Sequence, residues 1–226
     1  MLLAVLLLLG AVAVHEGGHG LCALALGVPV RELGLGVGPP LARVKVRRLV
    51  LSLRAFPVGA LVDLDDGAYY RLSAGRRVLL ALAGPGANAA GAFLALFGLG
   101  LWWGRDAGLR APAVAAGFAW GVLAGVVRLS LRSGSAELVG PVGFVAAVRD
   151  LGPVGAAEGV LLFSLLSLGL GAVNLLPVFP LDGGRALVEA FSGRLRPSWR
   201  RGLERFGWAA VAVLGLLVLA ADLCRL

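Results

Sequence analysis

Residues 14–27, VHEGGHGLCALALG, set two histidines and a glutamate inside an otherwise apolar run. His15 and His19 are four residues apart, so on a helix both imidazoles leave one face, a turn apart. That spacing suits two ligands of one zinc ion, with Glu16 beside them as a candidate general base. They are also the only two histidines in the chain. Ionisable groups in hydrocarbon are costly and mark functional sites, so the pattern predicts a metal centre at membrane depth.

Two histidines leave such a centre incomplete, because catalytic zinc has three protein ligands and one open position. The third should be a carboxylate, histidine or cysteine at similar depth on another segment. The stretch 172–191, AVNLLPVFPLDGGRALVEAF, offers Asp182 at the end of an apolar run. Pro177 and Pro180 interrupt a helix there, and Gly183 and Gly184 permit a sharp turn, so Asp182 can bend back towards the histidines. Read alone, LDGG is an ordinary helix-ending turn; beside an incomplete metal site, the ligand reading is the stronger. Cys22 reads as a small apolar helix residue. Gly17 and Gly18 admit either a closely packed helix or an extended substrate near the metal, and both readings stay open.

The elements that must carry these residues are membrane spans. Of the 226 residues, 59% are hydrophobic and 15% charged, against about 45–50% and 25% in soluble domains. Four segments are long and apolar enough to cross, at about 2–26, 78–103, 158–177 and 207–223. A fifth apolar stretch, 112–127, is borderline at 16 residues and reads as a surface-lying or shallow helix. A signal peptide would carry a positive n-region, which the first segment lacks. The expected fold is therefore an all-α polytopic membrane protein, a single unit over 1–226.

The net charge of +8 would suit a nucleic-acid partner in a soluble protein. Here it reads as loop charge that sets orientation and meets anionic headgroups, so no nucleic acid is expected. Residues 27–77 carry nine lysines and arginines, 184–206 carry six and 104–111 only two. The positive-inside rule then puts 27–77 and 184–206 in the cytoplasm and the N-terminus outside. Within 27–77, Arg43, Lys45 and Arg47 alternate with Ala42, Val44 and Val46, and Leu49, Leu51 and Leu53 continue the period of two. That predicts a β-hairpin or small sheet against the membrane, with a plain amphipathic loop as the alternative.

HEGGH in the first span, AGPGAN (83–88) in the second, LVGPVG (138–143), and NLLPVFPLDGG (174–184) at the third occur in that order. Together they resemble the site-two protease family of intramembrane zinc metalloproteases, in particular the bacterial branch that cleaves membrane-bound anti-sigma factors. The resemblance covers nearly the whole chain. It implies that His15, His19 and Asp182 are zinc ligands, that Glu16 is the catalytic base, and that Asn174 and Pro177 contact substrate. It also implies a membrane-associated β-hairpin after the first span and a place in a bacterial inner membrane. Members often carry PDZ domains between the second and third spans. Here 104–157 is too short and too apolar to hold one, so dependence on a first cut by an upstream protease is left open.

The expected function is hydrolysis of a peptide bond in or near the transmembrane segment of single-span membrane proteins, with the active site towards the cytoplasm. Such a helix must unwind to be cut, and its freed backbone groups could pair with a strand edge within 41–60. Asn174 is a candidate oxyanion donor. The alternative is a metal-binding membrane protein without proteolysis, a transporter or an inactive homologue. The chain has no internal repeat of the kind transporters show, and Glu16 and all three candidate ligands are present.

Overall fold

The structure is a computed structural model that describes residues 2–47, 49–105, 110, 112–117, 119–121, 154–192 and 197–224. The chain begins with helix α1 (Leu2–Ala25), followed by strands β1 (Val30–Val46) and β2 (Leu49–Leu64) and the short helix α2 (Asp66–Arg71). Then come α3 (Ala74–Trp103), α4 (Ala156–Asn174), α5 (Asp182–Ala190) and α6 (Pro197–Cys224).

The pattern along α1 is the reverse of a soluble helix. Ala4, Ala11, His15, His19 and Ala23 are buried, while Leu2, Leu6, Leu21 and Leu24 face outwards. Small and polar residues turned inwards with leucines outwards suit a helix in lipid, where close backbone approach and hydrogen bonds drive association. α4 follows the same rule: its buried residues are Ser164, Ser167 and Gly171. The Ser167 hydroxyl donates to the Asn88 carbonyl of α3 at 3.2 Å, and the Ser164 hydroxyl to the Val160 carbonyl of its own helix.

Among the described residues, α1, α3 and α4 are long and apolar enough to cross a membrane. The expected fourth crossing does not reach that standard. α6 is helical through Cys224, and the apolar stretch found among its described residues is Arg205–Leu217. The third span also ends earlier than expected, at Asn174 rather than 177, since Pro177 disfavours helical geometry in the residue before it. Of the borderline stretch 112–127, residues 112–117 and 119–121 are helical, and the rest lies outside the described residues, as does LVGPVG.

The alternation at 42–53 does produce a sheet. β1 and β2 pair antiparallel, Val46 opposite Leu49 and Val30 opposite Leu64. Both strands bend, so each contributes two arms. The first arm of β1 lies between the two arms of β2: Leu33 and Leu35 face Val62 and Ala60 with the chains antiparallel, and face Leu51 and Leu53 with the chains running the same way. Across the described residues the arms run in the order 40–46, 49–54, 30–35, 60–64. Gly36 and Gly38, both at φ +90°, make the bend in β1, a backbone region that other residues rarely adopt.

A small apolar cluster fixes this sheet to the helices. Ala23 of α1, Val28, Val30 of β1, Ala68 of α2, Leu72 and Leu80 of α3 are buried together. α2 is capped by Asp65, which accepts from the Ala68 amide at 2.8 Å and from Arg31 Nη2 at 2.5 Å. The Ala68 amide and then the Arg31 guanidinium hold the Asp65 carboxyl below its usual range. On the far side, Arg77 of α3 grips α5: Nε donates to Glu189 Oε2 at 2.6 Å and Nη2 to Ser192 Oγ at 2.9 Å.

Candidate metal centre

α1, α3 and α5 meet at one point. Asp182 is the first residue of α5, and the chain reaches it through a tight turn over residues 175–181. Gly183 and Gly184 make that turn possible in a specific way. A Cβ on Gly183 would collide with the Leu175 backbone, and one on Gly184 with the backbone of Val178 and Phe179. With no side chain at either position, the turn folds down onto the start of α5 and carries Asp182 back to α1. Gly207 of α6 packs equally closely on the Phe179 backbone.

The three side chains converge. His15 Nε2 lies 2.9 Å from Asp182 Oδ2, His19 Nε2 lies 3.2 Å from the same oxygen, and the two Nε2 atoms are 3.4 Å apart. A tetrahedral zinc site with bonds of about 2.0–2.1 Å has ligand atoms about 3.3 Å apart, so the donor atoms stand close to the edges of such a tetrahedron. All three residues are buried. The set of two imidazole nitrogens and one carboxylate oxygen is one that catalytic zinc takes, and among the described residues this is the one group of three His, Cys, Asp or Glu with such convergence. The residues fit the metal.

α3 supplies the wall behind the imidazoles. Leu80, Gly84 and Asn88 are four residues apart and lie on one side of that helix. His19 Nδ1 donates to the Leu80 carbonyl at 2.8 Å, which leaves its Nε2 facing Asp182. A Cβ on Gly84 would run into the Nε2 atoms of both histidines. Asn88 lies 3.1 Å from His15 Nδ1. None of the three was singled out for a role by sequence reasoning; the AGPGAN pattern that contains Gly84 and Asn88 was the available signal.

Glu16 is half-buried and lines a cavity of about 260 Å³ together with His15, His19, Asn174, Pro180 and Asp182. It also lines a second space, a groove of about 390 Å³ between α1 and the sheet, walled by Leu33, Leu35, Val44, Leu51 and Leu53. The cavity's outer wall includes Ala60, Leu61, Val62 and Leu64, the last arm of β2. The strand edge nearest the centre is therefore this arm, at the end of the 41–60 stretch and beyond it. Tyr69 stands at the junction with a neighbouring cavity of about 570 Å³. Burial, and then the adjacent Glu189 carboxylate, push its hydroxyl above the usual range.

The remaining sequence candidates fall differently. Asn174 reaches the cavity, but its Nδ2 donates to the Leu170 carbonyl of its own helix at 2.9 Å. Pro177 sits exposed in the turn and is not among the cavity-lining residues, whereas Pro180 is.

A helix-borne HExxH pair, an aspartate returned from a later segment, and three helices fit to cross a bilayer together define a polytopic membrane protein built around a metal centre. The model of Peptidase family M50 matches residues 3–218, and the chain belongs to that family. Over 117 residues, 46% of this chain, it is 30% identical to "Zinc metalloprotease Rip1" of Mycobacterium tuberculosis, of which that match covers 29%. Over 63 residues, 28% of this chain, it is 40% identical to "Membrane metalloprotease ARASP, chloroplastic" of Arabidopsis thaliana, of which 14% is covered. The chain spans less than a third of the length of the curated relatives it matches.

Proposed function

We propose that this chain is an intramembrane zinc endopeptidase that hydrolyses a peptide bond in or near the transmembrane segment of single-span membrane proteins. The observation that carries the reading is the convergence of His15, His19 and Asp182 within a cavity that Glu16 also lines. His15, His19 and Asp182 would hold zinc, which when bound supplies Lewis acidity to activate water and polarise a carbonyl. Glu16 takes the proton of the attacking water and passes it to the leaving amide nitrogen. Asn174, once its amide leaves the Leu170 carbonyl, has a donor to offer the developing oxyanion.

Substrate backbone freed by local unwinding needs partners, and the 60–64 arm offers an edge along the cavity wall. Leu33, Leu35, Leu51 and Leu53 would shelter the apolar part of the substrate beside Gly17. Loop charge supports an orientation with the N-terminus outside and the centre towards the cytoplasm of a bacterial inner membrane, with α6 as a further membrane-associated segment. An anti-sigma factor fits this substrate class, as does a protein already trimmed by an upstream protease. The whole of 1–226 would act as one catalytic unit.

The test is cleavage of a panel of single-span substrates by protein purified in detergent, with Glu16→Gln alongside and products sized by mass spectrometry. A cut at the apolar segment that disappears in Glu16→Gln is expected. A cut that survives the substitution overturns the mechanism. A protein that binds zinc and cuts no member of a broad panel points instead to the non-proteolytic reading.

A further inference from the structure

Each imidazole that gives Nε2 to a metal must keep its proton on Nδ1, and a hydrogen-bond acceptor there fixes the tautomer and the ring. His19 meets that condition through the Leu80 carbonyl, 2.8 Å from its Nδ1. His15 does not yet meet it. As arranged, its Nε2 donates to Asp182 Oδ2 at 2.9 Å, and its Nδ1 accepts from Asn88 Nδ2 at 3.1 Å. Asn88 is fully buried, and its Oδ1 is without a hydrogen-bond partner. With the His15 proton moved to Nδ1, donor would face donor. A half-turn of the Asn88 amide about Cβ–Cγ puts Oδ1 opposite Nδ1 within the same volume and removes the conflict.

We propose that Asn88 is the positioning residue of His15: its amide carbonyl accepts from Nδ1 and so holds the Nε2 lone pair towards the metal. This rests on the zinc reading given above. The rest of Asn88 is held in place, since Ser167 donates to its carbonyl at 3.2 Å and Gly171 of α4 leaves only 3.4 Å between an added Cβ and the Asn88 Cβ. The amide torsion is the freedom that remains. Leu80 and Asn88, two turns apart on α3, thereby set the tautomers of both histidines from a single helix face, one through the main chain and one through a replaceable side chain.

Zinc affinity of the full chain in detergent, measured by competition with a chromophoric chelator, tests this without any cleavage assay. Asn88→Leu keeps the volume and loses both polar atoms, and its affinity should fall about 10–100-fold. Asn88→Asp keeps only acceptors and should bind zinc close to wild type or more tightly. A spectrum of the cobalt-substituted Asn88→Asp protein should match wild type.

Equal affinities in all three proteins would overturn the proposal. So would a loss in Asn88→Asp, because that is the result expected if the amide works as a donor. Should Asn88→Leu fail to fold, Asn88→Ala, which also loses both polar atoms, takes its place and should weaken zinc binding in the same way. His15→Ala serves as the control for the centre itself: retention of tight zinc there would sink the zinc reading, whereas its loss with unaffected Asn88 variants would sink only this inference.

Discussion

At Gly18, on its α3 side, α1 has no room for even a methyl group. A Cβ at Gly18 would lie 2.5 Å from Ala87 Cβ and 2.6 Å from the Ala83 carbonyl oxygen, and one at Gly84 would strike both histidines. On its sheet side, the adjacent Gly17 has nothing within 4 Å and opens into the apolar groove. The two glycines that look alike in the sequence therefore answer to different demands. Under the proposed function, the part of the chemistry that must not move is built against a closed wall of helix. The part that must admit something variable is left open beside a sheet.

The sharpest break of this contrast is Gly84→Ala. The added methyl has to displace an imidazole, so zinc content measured by mass spectrometry should fall to near zero, and cleavage with it. Glu16→Gln should leave zinc in place and lower cleavage by about 10²–10⁴-fold, the span of a lost general acid–base; loss of zinc as well would mean that Glu16 has been given the wrong job. Arg77→Met removes the cation that grips Glu189 at the closed end. With both partners largely buried, it should cost about 3–5 kcal/mol, read as a lower melting temperature in detergent and easier chelation of zinc. The finest test pairs the two glycines. Gly18→Ala should destabilise by about 1–3 kcal/mol through overpacking, whereas Gly17→Ala should stabilise α1 by up to about 1 kcal/mol. Shifts of the same sign would abolish the distinction between the walls.

What the sequence revealed of the centre is the part written in side-chain chemistry. His15, Glu16 and His19 carry their meaning in their spacing, and Asp182 stood out as a charge ending an apolar run. The structure brings these four to one cavity. The alternation around Val44 and Leu51 likewise announced a sheet, though not the bends at Gly36 and Gly38 that give each strand two arms. The closed wall was hidden for a physical reason. Leu80 acts through a main-chain carbonyl that every residue possesses, and Gly84 acts through an absence. Asn88 works eight residues along a helix whose facing partner cannot be read from one strand of sequence. Pro180 rather than Pro177 reaches the cavity because the turn reverses between them. α6 does form over 207–223, and the apolar stretch found among its described residues ends at Leu217.

Glu16 borders both the polar cavity that holds the histidines and the apolar groove beneath the sheet. A polypeptide lying across both spaces changes surroundings at that carboxylate, apolar on one side and polar on the other. Under the proposed function, the bond presented for cutting is then selected by where the substrate's own hydropathy drops, as a float finds the waterline. Recognition of that kind reads a boundary and not a spelling, so substrates with unrelated sequences can be cut at a common depth. Lengthening a substrate's apolar stretch would slide the cut along the chain while leaving that depth unchanged.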